Sequence, residues 1–409
     1  MKTIIKIAWR NVWRNRLRSF VVFASVMLGV WAGLFTVSLT LGMMDQQKRS
    51  IVQTQTSHLK VHSSRYMKDE KLINHIPDDT LDLLENLLKN DSRVVAYTER
   101  TIIDGTVNNA HGFANLKIVG IDPEMEKTVT TIYERLDSGT YFSEFKNRPV
   151  LVGKSLADHL KLDVGKSLNL NFMDKDTNAV GIGFKVEGVF NSGNGTFDKQ
   201  QVFVRQNDLN ELLQTNHFIH EIAIICTDIK EAEPVRDEIN SKLGGSVEAR
   251  TWAQLSPQLA YSDEMMTVAI FIILGIIIFA LAFGILNTML MAVLERKREL
   301  GMLLCVGMNK RKVFFMIMIE TIFLSFVAAP LGLLLSWITV TYFGSAGINL
   351  MDVGDAMYQF GYDALVYPKL YPYVYFMVST MIIGAAIISS IIPARRALKY
   401  NPAEAVRAL

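Results

Sequence analysis

Long apolar runs alternate with charged segments along this chain, and their lengths predict four transmembrane helices. A helix needs about 20 mostly apolar residues to cross the hydrocarbon core of a bilayer. Runs of that length predict spans at residues 19–42, 265–292, 312–342 and 371–392. The first run is too long for the apolar core of a cleaved secretion signal, and no small-residue cleavage site follows it. We therefore interpret it as a membrane anchor.

The segment before the first span, residues 1–18, has the pattern of an amphipathic helix. One face is apolar and the opposite face is basic; the apolar face carries Ile4, Ile5, Ala8, Val12 and Trp13. Such a helix lies along a membrane surface, with its basic face towards anionic lipid. An ordinary basic flank of the first span would explain the charges but not the apolar spacing.

Charge is distributed so that it orients the spans. Basic residues concentrate before the first span, between the second and third spans, and in the tail 393–409. The loop 343–370 instead carries Asp352, Asp355 and Asp363 against Lys369. Since short basic loops stay in the cytoplasm, both termini are predicted to be cytoplasmic. Cys226 and Cys305 then lie on opposite sides of the membrane, which excludes a disulfide within the chain. The neighbouring apolar spans argue against a nucleic-acid partner for these basic segments.

The long polar region, residues 43–264, is predicted to be an extracytoplasmic α/β domain. We expect the first span to continue as a helix over 46–56, followed by a strand at 58–62 and a helix at 77–88. Strands at 94–103 and 114–119 are separated by Gly105 and a turn at Asn108-Asn109. A strand at 221–225 and a helix at 229–243 follow later. The α/β part therefore comprises 43–122 and 217–264, with a β-rich insert at 123–216 that holds short strands at 150–152, 167–172 and 184–189.

The sequence contains few candidates for catalytic or metal sites, and each of them lacks part of the required pattern. Gly153-Lys154-Ser155 and Gly165-Lys166-Ser167 resemble the end of a phosphate-binding loop, but the glycine required five residues earlier is replaced by Arg148 and Leu160. His58 and His62 could clamp a metal on a helix, yet the residues around them alternate as in a strand. No Gly-x-Ser-x-Gly nucleophile elbow is present. We predict no catalytic residue, metal or bound cofactor in this chain.

The junction between the second and third spans carries the most specific pattern. An apolar helix ends, a charged elbow follows, and a short amphipathic helix closes at Gly307, so residues 293–311 are predicted to lie along the inner membrane surface. Its Leu-Gly-Met-Leu-Leu segment exceeds what an ordinary basic loop requires. An apolar face there is available to a partner.

At this junction the sequence resembles the permeases of the MacB and FtsX superfamily of ABC transporters. Asn287–Gly307 follows the pattern N-T-M-L-x-x-V-x-E-R-x-R-E-I-G-x-x-x-A-L-G almost position for position. Leu300 replaces the isoleucine, and Cys305-Val306 replaces Ala-Leu. The segments Trp9–Ser19 and Pro393–Ala405 are similar to the family's terminal signatures, so the resemblance extends over the whole chain.

The resemblance implies a permease that works by mechanotransmission with a dimer of cytoplasmic ATPases and a second permease copy or paralogue. ATP and Mg²⁺ would then be bound by the separate ATPase. The residues expected to couple to it are Glu295, Arg298, Glu299, Leu300, Gly301, Met302, Leu303, Leu304 and Gly307. We expect Leu300, Met302, Leu303 and Leu304 to form an apolar knob.

The layout is closest to the lipoprotein-releasing permeases of the LolC and LolE type in the bacterial inner membrane. The expected partners are a lipoprotein or another periplasmic protein, and membrane lipid. Two alternatives stay open: MacB-like efflux with a periplasmic adaptor, and a signalling scaffold that controls a cell-wall hydrolase.

Four further residues are predicted to serve helix packing: Gly29, Gly33, Asn287 and Glu320. Gly29 and Gly33 form a small-xxx-small pair that lets two helices approach closely and could join two copies. The alternative is that the pair only reflects how frequent glycine is in membrane helices. Glu320 lies about 12 Å into the membrane by helical rise. It is expected to accept hydrogen bonds from Thr288, Asn287 or a neighbouring subunit; a proton relay is the alternative.

Overall fold

The computed structural model describes residues 2–14, 16–143, 148–215, 217–350 and 365–398. The chain divides into two compact units. The helical unit comprises Met1–Met44, Glu264–Ile348 and Val366–Leu409, and the α/β unit comprises Asp45–Asp263 and Asn349–Leu365. The acidic residues predicted in the loop 343–370 and the predicted tail signature beyond residue 398 lie outside the described residues.

The helices differ widely in length, from a single turn to more than ten turns. In chain order they are α1 (Lys2–Arg14), α2 (Arg16–Ile51), α3 (Asp78–Asn90), α4 (Pro123–Val129), α5 (Lys154–Leu160), α6 (Gly195–Gln200), α7 (Gln206–Leu213), α8 (Ala232–Leu243), α9 (Trp252–Leu255), α10 (Pro257–Glu295), α11 (Lys297–Cys305), α12 (Lys310–Ala346) and α13 (Pro372–Leu398). A π-helical segment, Val52–Thr56, continues α2. Short 3₁₀ turns occur at Ile132–Arg135 and Ile229–Glu231.

The strands are β1 (Leu59–Ser63), β2 (Val94–Asn109), β3 (Gly112–Ile121), β4 (Leu136–Gly139), β5 (Pro149–Gly153), β6 (Ser167–Met173), β7 (Ala179–Phe190), β8 (Gln201–Arg205), β9 (Glu221–Cys226), β10 (Val247–Thr251), β11 (Ile348–Asn349) and β12 (Leu365–Val366). The first ten form one sheet, and β11 pairs with β12.

Four helices among the described residues are long and apolar enough to cross a membrane, as the hydrophobic runs predicted. They are Ser19–Thr56, Pro257–Glu295, Lys310–Ala346 and Pro372–Leu398. Each is as long as its predicted span or longer, and two extend well beyond their apolar runs. The predicted helix over 46–56 is present, because α2 continues without a break to Ile51 and then as the π segment.

The helical unit is held together by aliphatic side chains of α2, α10, α12 and α13. Val30 and Leu34 of α2 are buried in this core with Met316 of α12 and Val378 of α13. A Cβ on Gly332 of α12 would lie 2.8 Å from the carbonyl oxygen of Met27, so glycine allows α12 to approach α2 closely.

Helix α1 packs against α12 with part of its predicted apolar face. Ala8 is fully buried, and the ring of Trp9 meets Phe323 edge-on at 5.4 Å between centroids. Ile5 and Trp13 stay exposed. The predicted surface helix is therefore also part of the helical core, a contact that its amphipathic pattern alone did not indicate.

One part of the α/β unit, formed by β1, β9, β10 and the start of β2, is an open sheet covered by helices. Strand β1 pairs with both β10 and β9, and the first seven residues of β2 pair with β9. Helices α3 and α8 cover this sheet, because Leu84, Leu88, Val235 and Ile239 pack on Ile222 and its neighbours.

The other part of the α/β unit, formed by β2, β3 and β5 to β8, is a closed barrel. The pairings run from β2 to β3, β8, β5, β7 and β6, and β6 pairs again with β2 at Thr106↔Asn171. Its interior is fully buried and includes Val107, Leu170, Val186 and Val204. Closure removes exposed strand edges from a β-rich segment.

This barrel changes the predicted boundary of the β-rich insert. The predicted insert began at residue 123, but β2 and β3, which come before that residue, are two of the strands of the barrel. Strand β2 extends from Val94 to Asn109, so Gly105 lies inside it and the turn falls at Ala110-His111. A Cβ on Gly105 would lie 2.6 Å from the side chain of Ile118, which explains the glycine within the strand.

The weak site candidates take structural positions. Gly153 ends β5, where an added Cβ would overlap the backbone of Asp198. Gly165 occupies a turn with φ of +90°. His62 Nε2 lies 3.0 Å from the buried Glu221 carboxylate. No group of three or more potential metal ligands occurs in the part of the chain that the structure describes.

Candidate functional site

The junction between α10 and α12 is a short helix with defined ends. Helix α10 ends at Glu295, and Arg296 leaves helical geometry with φ of −96° and ψ of 14°. Helix α11, which we call the junction helix, then runs from Lys297 to Cys305. Gly307 follows with φ of +93°, a conformation that favours glycine, and its N–H donates to Leu304 O at 3.1 Å.

The start of α12 completes this turn. The side chain of Asn309 accepts a hydrogen bond from Arg311 N at 3.0 Å and so caps the next helix. A helix is thus present within 293–311, but it covers nine residues, because Arg296 and Gly307 end it on either side.

The apolar side chains of the junction helix point in two directions. Leu300 is only 3% exposed and belongs to the core of the helical unit, and Leu303 and Leu304 pack against that core. Met302 is 52% exposed and Val306, just beyond the helix, is 89% exposed. The outward apolar surface therefore consists of Met302 and Val306, which we call the exposed knob.

The predicted composition of the knob requires correction. Leu300 is not available to a partner protein, because its side chain is buried between the helices of its own chain. Val306 was absent from the predicted set, although it stands where the resemblance pattern also has an apolar residue. Gly301 is buried beside Leu300, and Arg298 is exposed.

Four charged side chains of alternating sign form a chain beside the junction helix. Arg14 Nη2 donates to both Glu299 oxygens at 2.5 and 2.7 Å. Arg296 Nε donates to Glu299 Oε2 at 3.1 Å, and its Nη1 donates to Glu320 Oε1 at 2.9 Å and Oε2 at 3.1 Å. We call Arg14, Glu299, Arg296 and Glu320 the charge relay.

The partner of Glu320 differs from the predicted one. Arg296 reaches it from the elbow, whereas the Thr288 hydroxyl donates to Gly284 O within α10 and Asn287 lies exposed on the same helix. Asn287 and Thr288 lie within the second span, whereas Arg296 lies beyond its end and so at a different depth. The long side chain of Arg296 reaches from the end of α10 to Glu320 inside the span, as arginine side chains do near membrane surfaces.

The electrostatics of the relay favour its ionised form. Burial raises the pKa of the Glu299 carboxyl, but hydrogen bonds from Arg14 and Arg296 and their charges outweigh this and lower the pKa overall. A polar cavity of about 280 Å³ lies beside the relay, lined also by Ser19 and Glu295. Arg14 and Arg296 were not among the predicted site residues. The run Glu-Arg-Lys-Arg-Glu at 295–299 could have indicated ion pairing by Arg296, but it does not include Arg14.

Gly29 and Gly33 face the second span of the same chain. A Cβ on Gly29 would lie 2.5 Å from Leu281 Cδ2, and one on Gly33 would lie 3.1 Å from Ile277. The two helices border an apolar groove of about 460 Å³ that also includes Ala32, Ala280 and Gly284. The prediction that this pair joins two copies stays a prediction.

Comparison with known proteins agrees with this architecture. The model of the MacB-like periplasmic core domain matches residues 19–242, and that of the FtsX-like permease C-terminal matches residues 271–402. The chain belongs to the family of permeases that combine these two domains. It is accordingly an ABC transporter permease of the LolC, MacB and FtsX type.

Individual relatives are distant but extend over most of the chain. The lipoprotein-releasing system transmembrane protein LolC of Xylella fastidiosa is 24% identical, over 70% of this chain and 72% of its own. LolC of Neisseria meningitidis is 21% identical, over 96% and 95%. The macrolide export ATP-binding/permease protein MacB of Campylobacter jejuni is 21% identical over 98% of this chain and 60% of its own.

Solved structures similar to about half of this chain include two domains of ABC transporters, both with low scores. The extracellular domain of the ABC-type transporter YknZ gives a TM-score of 0.33 at 16% identity, over 47% of this chain and 99% of its own. The periplasmic region of MacB from Actinobacillus actinomycetemcomitans gives 0.34 at 13%, over 51% and 95%.

Proposed function

We propose that this permease pairs with a second copy or paralogue and a dimer of separate ATPase subunits in a bacterial inner membrane, with both termini in the cytoplasm. The cytoplasmic ATPases contact the exposed knob, and their ATP-driven closure moves the junction helix. Because α10 and α12 flank that helix, the movement passes into the membrane spans. The α/β unit then acts on a substrate outside the cytoplasm, so no substrate has to cross the bilayer.

The observation that carries this proposal is the exposed knob itself. Met302 and Val306 are apolar side chains that the described part of their own chain leaves exposed, in the segment between two membrane spans. Removing such apolar surface from water stabilises a protein interface. Glu299 of the same helix is paired with Arg14 and Arg296, and these ion pairs tie the helix that carries the knob to the rest of the permease.

We further propose that the substrate is a lipoprotein released towards the outer membrane. Support comes from the LolC relatives, one of which matches nearly the full length of both chains. Efflux with a periplasmic adaptor is the second candidate, supported by the MacB relative that matches 98% of this chain.

A pull-down of the tagged permease from native membranes separates these functions. A co-purifying ATPase and a triacylated lipoprotein support release, whereas an adaptor supports efflux and a wall hydrolase supports a signalling scaffold. Recovery of the permease without any ATPase would contradict the proposal.

The knob is tested by Met302→Asp and Val306→Asp. Each change places a charge in the proposed apolar interface, and truncation of such anchors commonly costs about 2 kcal/mol or more. We expect each variant to lose most of the co-purifying ATPase. Val95→Asp, the same change at an exposed position of the α/β unit, serves as the matched control and is expected to retain it.

Retention of ATPase by both knob variants at the wild-type ratio would place the ATPase contact elsewhere. Leu303→Asp is a poorer test, because Leu303 packs on the core of its own chain and its loss would disturb the permease directly.

A further inference from the structure

The charge relay connects helices that are far apart in sequence. Arg14 ends α1, Arg296 separates α10 from the junction helix, Glu299 lies in the junction helix, and Glu320 lies in α12. Each arginine lies between or beside carboxylates: Arg14 binds Glu299, and Arg296 binds Glu299 and Glu320 at once. The sequence separation from Arg14 to Glu299 is 285 residues.

The two ends of the relay are in different surroundings. Glu320 is buried within a membrane-crossing helix, where an unpaired carboxylate is strongly disfavoured. Arg296 satisfies both of its oxygens. Arg14, at the other end, is about half exposed. The Glu320 end of the relay is therefore buried and paired, whereas the Arg14 end is accessible and its ion pair with Glu299 can be broken more easily.

The middle of the relay depends on arginine geometry. Arg296 uses Nε for Glu299 and Nη1 for Glu320, so two different edges of one planar guanidinium orient two carboxylates. A lysine ammonium is a compact point charge on a flexible stem and does not impose this arrangement. The relative orientation of Glu299 and Glu320 is thus set by the plane of the Arg296 side chain.

We propose that Arg14, Glu299, Arg296 and Glu320 are positioning residues that fix the junction helix against α12 and make the N-terminal helix α1 part of the coupling machinery. This inference rests on the proposed function for its consequence, force transmission from an ATPase. The fixing of the helix is a property of the permease alone. The knob would contact the partner, and the relay would keep the junction helix in place when the partner pushes.

The first test is hydrogen exchange across residues 297–305, measured on the full-length permease in lipid nanodiscs. Glu299→Gln and Glu320→Gln each remove a charge but keep an acceptor. We expect each to accelerate exchange in the junction helix by about tenfold, which corresponds to about 1.4 kcal/mol. Arg14→Gln is expected to give a smaller acceleration, since the Arg296 contacts persist. The matched control is Arg311→Gln, an exposed arginine at the start of α12, which is expected to leave exchange unchanged.

Unchanged exchange in Glu299→Gln and Arg14→Gln would overturn the proposal, as would an equal acceleration in Arg311→Gln. If Glu320→Gln fails to insert into the membrane, the two variants at the accessible end still decide the outcome. No ATPase is needed for this measurement, so its result is independent of whether the proposed function holds.

The second test asks whether geometry or mere stability matters. Arg296→Lys keeps the charge but removes the planar fork of donors. In complexes with the ATPase recovered by pull-down, we expect Arg296→Lys to retain the ATPase but to lower its stimulation by the permease at least threefold. Normal stimulation by Arg296→Lys would contradict a positioning role.

Discussion

Arg100, Glu126 and Glu221 form a buried cluster of opposite charges in the α/β unit. Glu221 of β9 accepts from Arg100 at 2.6 Å and Lys60 at 2.8 Å, and Arg100 also donates to Glu126 at 2.6 Å. Arg100, Glu126 and Glu221 are each at most 4% exposed. Removing one partner of such a group leaves an uncompensated charge away from water, which is more costly than the loss of an exposed pair.

Glu221→Gln is predicted to destabilise the α/β unit by about 3–5 kcal/mol, the usual cost of breaking a buried pair. Hydrogen exchange of the β9 amides in the full-length protein at neutral pH measures this. The control is Glu248→Gln, which removes the carboxylate of the more exposed pair with Arg250 and is expected to have little effect. Equal protection of β9 in wild type and Glu221→Gln would contradict the argument.

The same residue predicts a response to acid. Burial raises the pKa of Glu221, but the charge of Lys60, the hydrogen bond from His62 and the charge of Arg100 together hold it well below its usual range. A carboxyl with a depressed pKa stabilises the fold above its unfolded pKa of about 4.3, and this contribution is lost as the pH falls further. Protection of β9 is therefore expected to decline below about pH 5 in the wild type and to decline less in Glu221→Gln.

At the scale of helices, close packing between the first two spans depends on small residues. Gly29→Leu would overlap Leu281, and such overpacking typically costs about 1–3 kcal/mol. We expect a lower thermal midpoint for this variant in detergent. Gly275→Leu, the same change at a glycine of α10 with no heavy atom within 4 Å of its added Cβ, is the matched control. An unchanged midpoint combined with lost crosslinking between copies would assign Gly29 to an interface between copies instead.

At the scale of the whole molecule, α2 is one helix that begins in the helical unit and ends in the α/β unit. Its far end is tied within the α/β unit: the Ser50 hydroxyl donates to Ser192 O at 2.9 Å, and Arg135 donates to the same oxygen at 2.9 Å. Lys48 lies 4.3 Å from the ring centre of Trp252. Under the proposed function, this continuous helix would be the path along which force travels.

Gln47→Pro is predicted to interrupt this path. Proline removes a helical hydrogen bond and kinks the helix, at a cost of about 3 kcal/mol or more. In the proposed complex, we expect the ATPase to be retained and to hydrolyse ATP, while ATP would no longer change hydrogen exchange in the α/β unit. Gln47→Ala is the control. An ATP-dependent change that persists in Gln47→Pro would exclude α2 as the main path.

The sequence by itself determined the four spans, the position of the junction helix and the continuation of α2. These features depend on apolar length, charge and helix-ending residues, which are local properties of the chain. The family pattern at Asn287–Gly307 is also local, and the matches to both family models agree with it. Fold class and family could therefore be predicted from the amino-acid sequence.

Only the tertiary structure decided which residues meet across long sequence distances. Closure of the barrel requires β6 to return to β2, and nothing in the alternation of either strand specifies that pairing. The burial of Leu300 and the exposure of Val306 follow from how α11 lies on its neighbours. The pairing of Arg14 with Glu299 and of Arg296 with Glu320 likewise depends on helix packing, because a charged side chain carries no information in the sequence about which distant partner it will reach.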